Sequence, residues 1–143
     1  MQGSFGAGQV MTHSFPIRVY YEDTDQAGIV YYANYLKFIE RGRTEWIRSL
    51  GVDQGRLKRE EGIVFAVRRV EADYLRPARF DDELVVVTRA VASTGARIVL
   101  DQDVLRAGEK LFVAQVTLVC LTDEGAPARV PADVRKKLVP ALH

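Results

Sequence analysis

One helical stretch followed only by strand-like runs is the feature that most restricts this chain. From about Ala33 to Leu50 the apolar residues Leu36, Ile39, Trp46, Ile47 and Leu50 recur at helical spacing, with Lys37, Glu40, Arg41 and Arg48 mostly elsewhere. At about 1.5 Å per residue this helix is roughly 25 Å long, enough to line a whole sheet. Gly51 follows the last periodic residue, where a glycine ends a helix at low cost, and Asn34 is a candidate N-cap. A polar segment, Gln54 to Glu61, reads as a short second helix. Four runs then alternate as strands: Ile63 to Tyr74, Leu84 to Ala92, Arg97 to Arg106 and Lys110 to Leu121. Arg76-Pro77, Ser93-Thr94-Gly95 and Ala107-Gly108-Glu109 punctuate them. With a first strand over Ile17 to Glu22 the order is β-α-β-β-β-β, an α+β class. Asp133 to Leu138 adds a helical turn.

The last long strand places Phe112, Ala114, Val116, Leu118 and Cys120 on one face. Its other face mixes Gln115 and Thr117 with Leu111, Val113, Val119 and Leu121. One helix can cover only one face, so the sheet's apolar back predicts a partner subunit. A chain of 143 residues, 48% of them hydrophobic, fits a single core. Residues 1–14, rich in glycine and small polar groups, read as a disordered leader to a domain over residues 15–143. A net charge of +1 with scattered basic residues gives no footprint for nucleic acid. No apolar run nears the roughly 20 residues that span a bilayer, and Met1 to Pro16 lacks the pattern of a secretory signal, so a cytoplasmic protein is expected. Cys120 reads as core. His13 and His143 lie in terminal segments, which argues against a histidine triad or a metal site.

Between the first strand and the helix runs Tyr21-Glu22-Asp23-Thr24-Asp25-Gln26-Ala27-Gly28-Ile29-Val30-Tyr31-Tyr32. Carboxylates thus stand beside a helix start, where free N–H groups and the helix dipole can polarise a carbonyl while an acid activates water or attacks. Asp25 is the candidate base or nucleophile, and its alternative role is an Asx turn. Asp23 reads as a turn or supporting residue. Gly28 suits either a positive φ or a close approach of substrate to the backbone. Tyr31, Tyr32 and Tyr35 either line an acyl pocket or pack. Glu40 and Arg43 stand at i, i+3 spacing and can pair on the surface.

The run from Arg18 to Glu45, with Asp25-x-x-Gly28 and the aromatic helix start through Glu40 and Arg43, resembles the signature of hotdog-fold acyl-CoA thioesterases. The 4-hydroxybenzoyl-CoA and Tol-Pal-associated groups are the most similar. Ala72-Asp-Tyr-Leu-Arg-Pro77-Ala and the Gly-Glu-Lys turn support the resemblance, which spans about residues 15–138. It implies a curved antiparallel sheet wrapped around the long helix, in homodimers or homotetramers with active sites at the subunit interface. It also implies Asp25 as the catalytic carboxylate and the backbone N–H of Tyr32 as the carbonyl polariser. Gly28, Ile29, Val30, Tyr31 and Tyr35 would then contact substrate. Many Tol-Pal-associated relatives carry histidine where this chain has Tyr32, whereas in the hydroxybenzoyl type a tyrosine is found there.

The activity so implied is hydrolysis of an acyl-CoA to a free acid and CoA, with no cofactor, coenzyme A being part of the substrate. Its phosphates call for basic side chains, and Arg97, Lys110, Arg129 and Lys136 are available, Arg129 foremost because that region flanks the nucleotide in similar proteins. The competing reading is a non-catalytic partner of acyl carrier protein or of an envelope complex on the same scaffold. A hotdog dehydratase is the weaker third, since those enzymes rely on a histidine near the helix and none lies between residues 14 and 142.

Overall fold

A computed structural model describes residues 12–139, so the leader up to residue 11 and His143 lie outside the described residues. Strand β1 (Thr12–Arg18) leads through a 3-10 turn, Tyr21–Asp23, to helices α1 (Asn34–Ser49) and α2 (Gln54–Glu61). Strands β2 (Ile63–Tyr74), β3 (Glu83–Ser93), β4 (Arg97–Arg106) and β5 (Glu109–Thr122) follow in succession. A two-residue β6 (Pro127–Ala128) and helix α3 (Ala132–Leu138) come last. All strand pairs are antiparallel in the order β1-β3-β4-β5-β2, with β6 on β5. Register breaks at Val67/Arg69, Ala90/Ala92 and Val104/Leu105 bend the strands. The curved sheet wraps α1, the hotdog arrangement.

The first strand is displaced from the sequence expectation. Thr12, His13 and Ser14, assigned to a leader, pair with Arg89, Thr88 and Val87, while residues after Arg18 leave the sheet. The cause is a competing set of partners: the Val19 amide donates to Asp82 O and its carbonyl accepts from Asp81 N, both at 2.9 Å. Tyr20 to Asp23 then closes as a turn.

Helix α1 buries Tyr35, Phe38, Ile39, Gly42, Trp46 and Ile47 against β1, β3 and β4. Leu36, expected on that face, is 44% exposed. Gly42 permits the approach, because a Cβ there would stand 2.5 Å from Val86 Cγ1. Beneath it lies fully buried Gln102, whose Nε2 donates to Ile39 O and to Thr88 Oγ1, each at 2.9 Å. Arg43 Nη1 donates to Gln102 Oε1 at 2.8 Å, and burial lowers the guanidinium's pKa. The surface pair of Glu40 with Arg43 is therefore not formed; Glu40 accepts from Thr44 instead.

The back of the sheet is mixed, with Val113, Val119 and Leu121 of β5 only partly buried and Val85 of β3 exposed. This outer face also carries a cross-strand row of Arg89, Asp101, Gln115 and Glu71, with Asp73, Asp103 and Lys110 beside it. On the inner face, apolar surface is left open over β2. There Val67, Val70 and Tyr74 oppose the buried Leu118, Val116 and Phe112, yet are 45%, 38% and 49% exposed, although Tyr35 of α1 reaches Tyr74 at 5.5 Å between ring centroids.

Candidate active site

The Asp25 loop is closed on itself. Asp25 N donates to Ile29 O and Gly28 N to Asp25 O, both at 2.9 Å, and Thr24 bridges to Val30. Gly28 has a φ of +78° with open space around it, so the turn requires its conformational freedom, not its small size. One oxygen of Asp25, Oδ1, accepts from Ala27 N at 2.9 Å. The Asx turn weighed against catalysis is thus present, and among the described residues it leaves Oδ2 without a partner. The residue is exposed.

Asp23 lies behind this loop as its anchor. Its Oδ2 accepts from Tyr20 N at 2.8 Å, while its carbonyl accepts from Tyr31 N and Asn34 Nδ2, both at 2.9 Å. Asn34 is therefore not the N-cap of α1. Ala33 holds that position, and the Asn34 side chain reaches back to the turn. Among the described residues no acceptor meets the N–H of Tyr32, which precedes a 16-residue helix. A free carboxylate oxygen and an open amide at the positive end of a helix dipole thus lie seven residues apart on one folded-back segment.

A second loop braces the first. Val30 N donates to Ala78 O at 2.8 Å, Ile29 bridges to Arg79, and Ala78 N donates to the Tyr35 hydroxyl at 3.0 Å. Asp82 holds this brace, since its Oδ2 accepts from Arg79 N and Arg106 Nη1, each at 2.8 Å. Burial alone pushes the Asp82 carboxyl up, but the Arg79 amide and the Arg106 guanidinium outweigh it and hold it below the ordinary range. Sequence reasoning missed Ala78, Asp82 and Arg106. The Arg76-Pro77-Ala78 match was their only signal.

The aromatic cluster divides. Tyr35 is buried and stacked on Phe112 at 5.1 Å between ring centroids, and burial raises its pKa. Tyr31 and Tyr32 are exposed, their rings 5.0 Å apart, and of the three they alone face open space. Cys120 is buried, its thiol pushed up to about 11, and packs as core.

Arg129 lies apart from all of these. Its guanidinium packs on Gly95 at the β3–β4 turn, in a hollow shared with Ile63, Arg135 and Lys136 at the start of β2. The Asp25 loop is braced just beyond the other end of β2. Twelve residues of strand separate the two places, roughly 35 Å.

Comparisons with known proteins place the fold and the family. The profile of the thioesterase-like superfamily matches residues 19–138. The acyl-CoA thioesterase YbgC of Haemophilus influenzae is 42% identical over 124 residues, 85% of this chain and 90% of that protein. A probable thioesterase from Bartonella henselae superposes with a TM-score of 0.82 at 40% identity, covering 85% of this chain and all of the other. The 4-hydroxybenzoyl-CoA thioesterase of a Pseudomonas species superposes with a TM-score of 0.84 at 23% identity, covering 88% and 98%, which speaks to fold alone. The chain belongs to the thioesterase-like superfamily.

Proposed function

We propose that this protein hydrolyses acyl-CoA thioesters to a free carboxylic acid and CoA. The observation that carries the reading is the unpartnered Oδ2 of Asp25 on the segment that ends in the open amide of Tyr32. The thioester oxygen accepts from that N–H, and the dipole of α1 favours the negative charge that grows on it. Asp25 either draws a proton from the attacking water or attacks the carbonyl carbon itself, giving a mixed anhydride that water then cleaves. In both routes the C–S bond breaks, CoA leaves as thiolate and takes up a proton. Coenzyme A enters as part of the substrate, and the steps call on no metal or redox cofactor.

A second copy of the chain completes the site. Among the described residues, β2 has a strand partner only in β5, and its apolar inner face is open. Two copies joined edge to edge by antiparallel β2 strands bring the start of one β2 beside the end of the other. The partner's Arg129 is thereby carried toward the Asp25 loop that Arg129 cannot reach within its own chain. A basic side chain there suits the phosphates of CoA. Gly28, Ile29, Tyr31 and Tyr32 line the approach, whereas Val30 and Tyr35, both expected to contact substrate, are buried at 3% exposure and support it from the core.

Asp25→Asn should lower turnover about 10²- to 10⁴-fold without unfolding the protein, measured as CoA release across short, long and aromatic acyl-CoAs. Undiminished hydrolysis by the folded variant would remove Asp25 from the chemistry. Saturable binding of acyl carrier protein with no CoA release by the unmodified chain would instead favour the binding role.

A further inference from the structure

The peptides around the open Tyr32 amide are held on three sides. Tyr31 N donates to Asp23 O at 2.9 Å, and Tyr31 O accepts from Asn34 N at 2.8 Å. The third tie comes from the sheet: the hydroxyl of Tyr74, at the end of β2, donates to the carbonyl of Tyr32 at 3.0 Å. Tyr35 N approaches that same carbonyl only at 3.4 Å, so the hydroxyl is its shorter partner. The first two ties are local to the turn. Only the third links this turn, through the Tyr32–Ala33 peptide that follows the open amide, to the strand that carries the open apolar face.

We infer that Tyr74 is a positioning residue for the reaction, its hydroxyl fixing the Tyr32–Ala33 peptide so that the Tyr32 amide is aimed at the thioester oxygen. The inference rests on the thioesterase reading and adds to it a residue that neither the Asp25 motif nor the helix start contains. The ring of Tyr74 is already accounted for by packing. Its centroid lies 4.9 Å from Phe112, 5.5 Å from Tyr35 and 6.1 Å from Tyr32, contacts a phenylalanine would also make. The hydroxyl adds nothing to that packing and goes to one backbone oxygen. Burial, then Tyr32, raises its pKa, so the donor keeps its proton at neutral pH. The bond also polarises the peptide it meets, strengthening the Ala33 N–H, which has no acceptor among the described residues. A displaced oxyanion donor costs far more in the transition state than in substrate binding, because the negative charge develops only there.

Tyr74→Phe tests this directly, since the ring stays and only the hydroxyl goes. The full-length variant should lose about 10- to 50-fold in kcat, with KM for acyl-CoA within about twofold of the unmodified protein. The carbonyl stretch of a bound acyl-CoA analogue, with methylene in place of the thioester sulfur, should shift less from its solution value than in the unmodified protein. The amide resonance of Ala33 should move, reporting loss of the bond to the Tyr32 carbonyl. An unchanged kcat, or a raised KM with kcat unaltered, would overturn the assignment while leaving the thioesterase reading intact. Absence of CoA release by the unmodified protein would overturn both.

Discussion

The inner face of the sheet is treated in two ways, and the contrast locates the chemistry. Over β1, β3 and β4 it is sealed by α1: Phe38, Ile39, Leu84, Val86, Leu100 and Val104 are buried, and Gln102 ties the helix backbone to the strands. Over β2 the same face, its alternation interrupted by the bulge between Val67 and Arg69, is open at Val67, Val70 and Tyr74. The sealed half needs nothing beyond the chain to be stable. Apolar side chains left uncovered in the open half are what the proposed second copy would cover, and the helix start and Tyr74 border it.

A charge placed in the open half should have the largest effect. Val70→Asp puts a carboxylate where a second copy would bury it unpaired, a cost of several kcal/mol. We expect sedimentation to show separated monomers and CoA release to fall at least about 10²-fold, while the far-ultraviolet spectrum stays native. A variant that still self-associates and turns over normally would show that this face is not where copies meet.

The sealed half should respond in stability instead. At Gly42 a side chain meets Val86 Cγ1 at 2.5 Å, inside the packed core. Gly42→Val should therefore destabilise by about 3 kcal/mol through overpacking, read as a lower urea midpoint. A midpoint within error of the parent would mean that α1 can lift off β3 cheaply, and the contrast between the halves would lose its basis.

Legibility in sequence did not divide along the same line. Strands β2 and β4 match their expected bounds, Ile63–Tyr74 and Arg97–Arg106, because strand-forming runs and the turn residues that punctuate them are local signals. What misled was tertiary. The β1 assignment slipped because Val19 finds its partners in Asp81 and Asp82, far along the chain. Asn34 resembled a cap because nothing local reveals that its amide reaches Asp23. Asp25, Gly28 and the helix start were legible as one motif. The division of the tyrosines was not, since a one-residue phase near a helix start decides whether a ring faces Phe112 or solvent. Ala78 contributes only its backbone, which side-chain patterning cannot signal.

The two halves should also differ in how pH affects them, the smallest effect of the set. The sealed half is held by apolar contact and by Gln102 with its partners Ile39, Thr88 and Arg43, none of them a carboxylate, whereas the brace of the Asp25 loop depends on the Asp82–Arg106 pair at 2.8 Å. Asp82 sits below its ordinary value, so its contribution is complete above the unfolded carboxyl pKa of about 3.9 and drains away as pH falls through the lower folded value. With both side chains partly solvated, the pair is worth roughly 1 kcal/mol or less. The stability gap between the parent and Asp82→Asn, measured by urea unfolding, should therefore be largest near neutrality and shrink progressively below about pH 5. It should shrink at high salt as well, because solvent-exposed ion pairs are screened. A gap that stays constant from pH 7 to pH 3 would mean that the Arg79 amide, bonded equally well by an asparagine oxygen, holds the loop without help from charge.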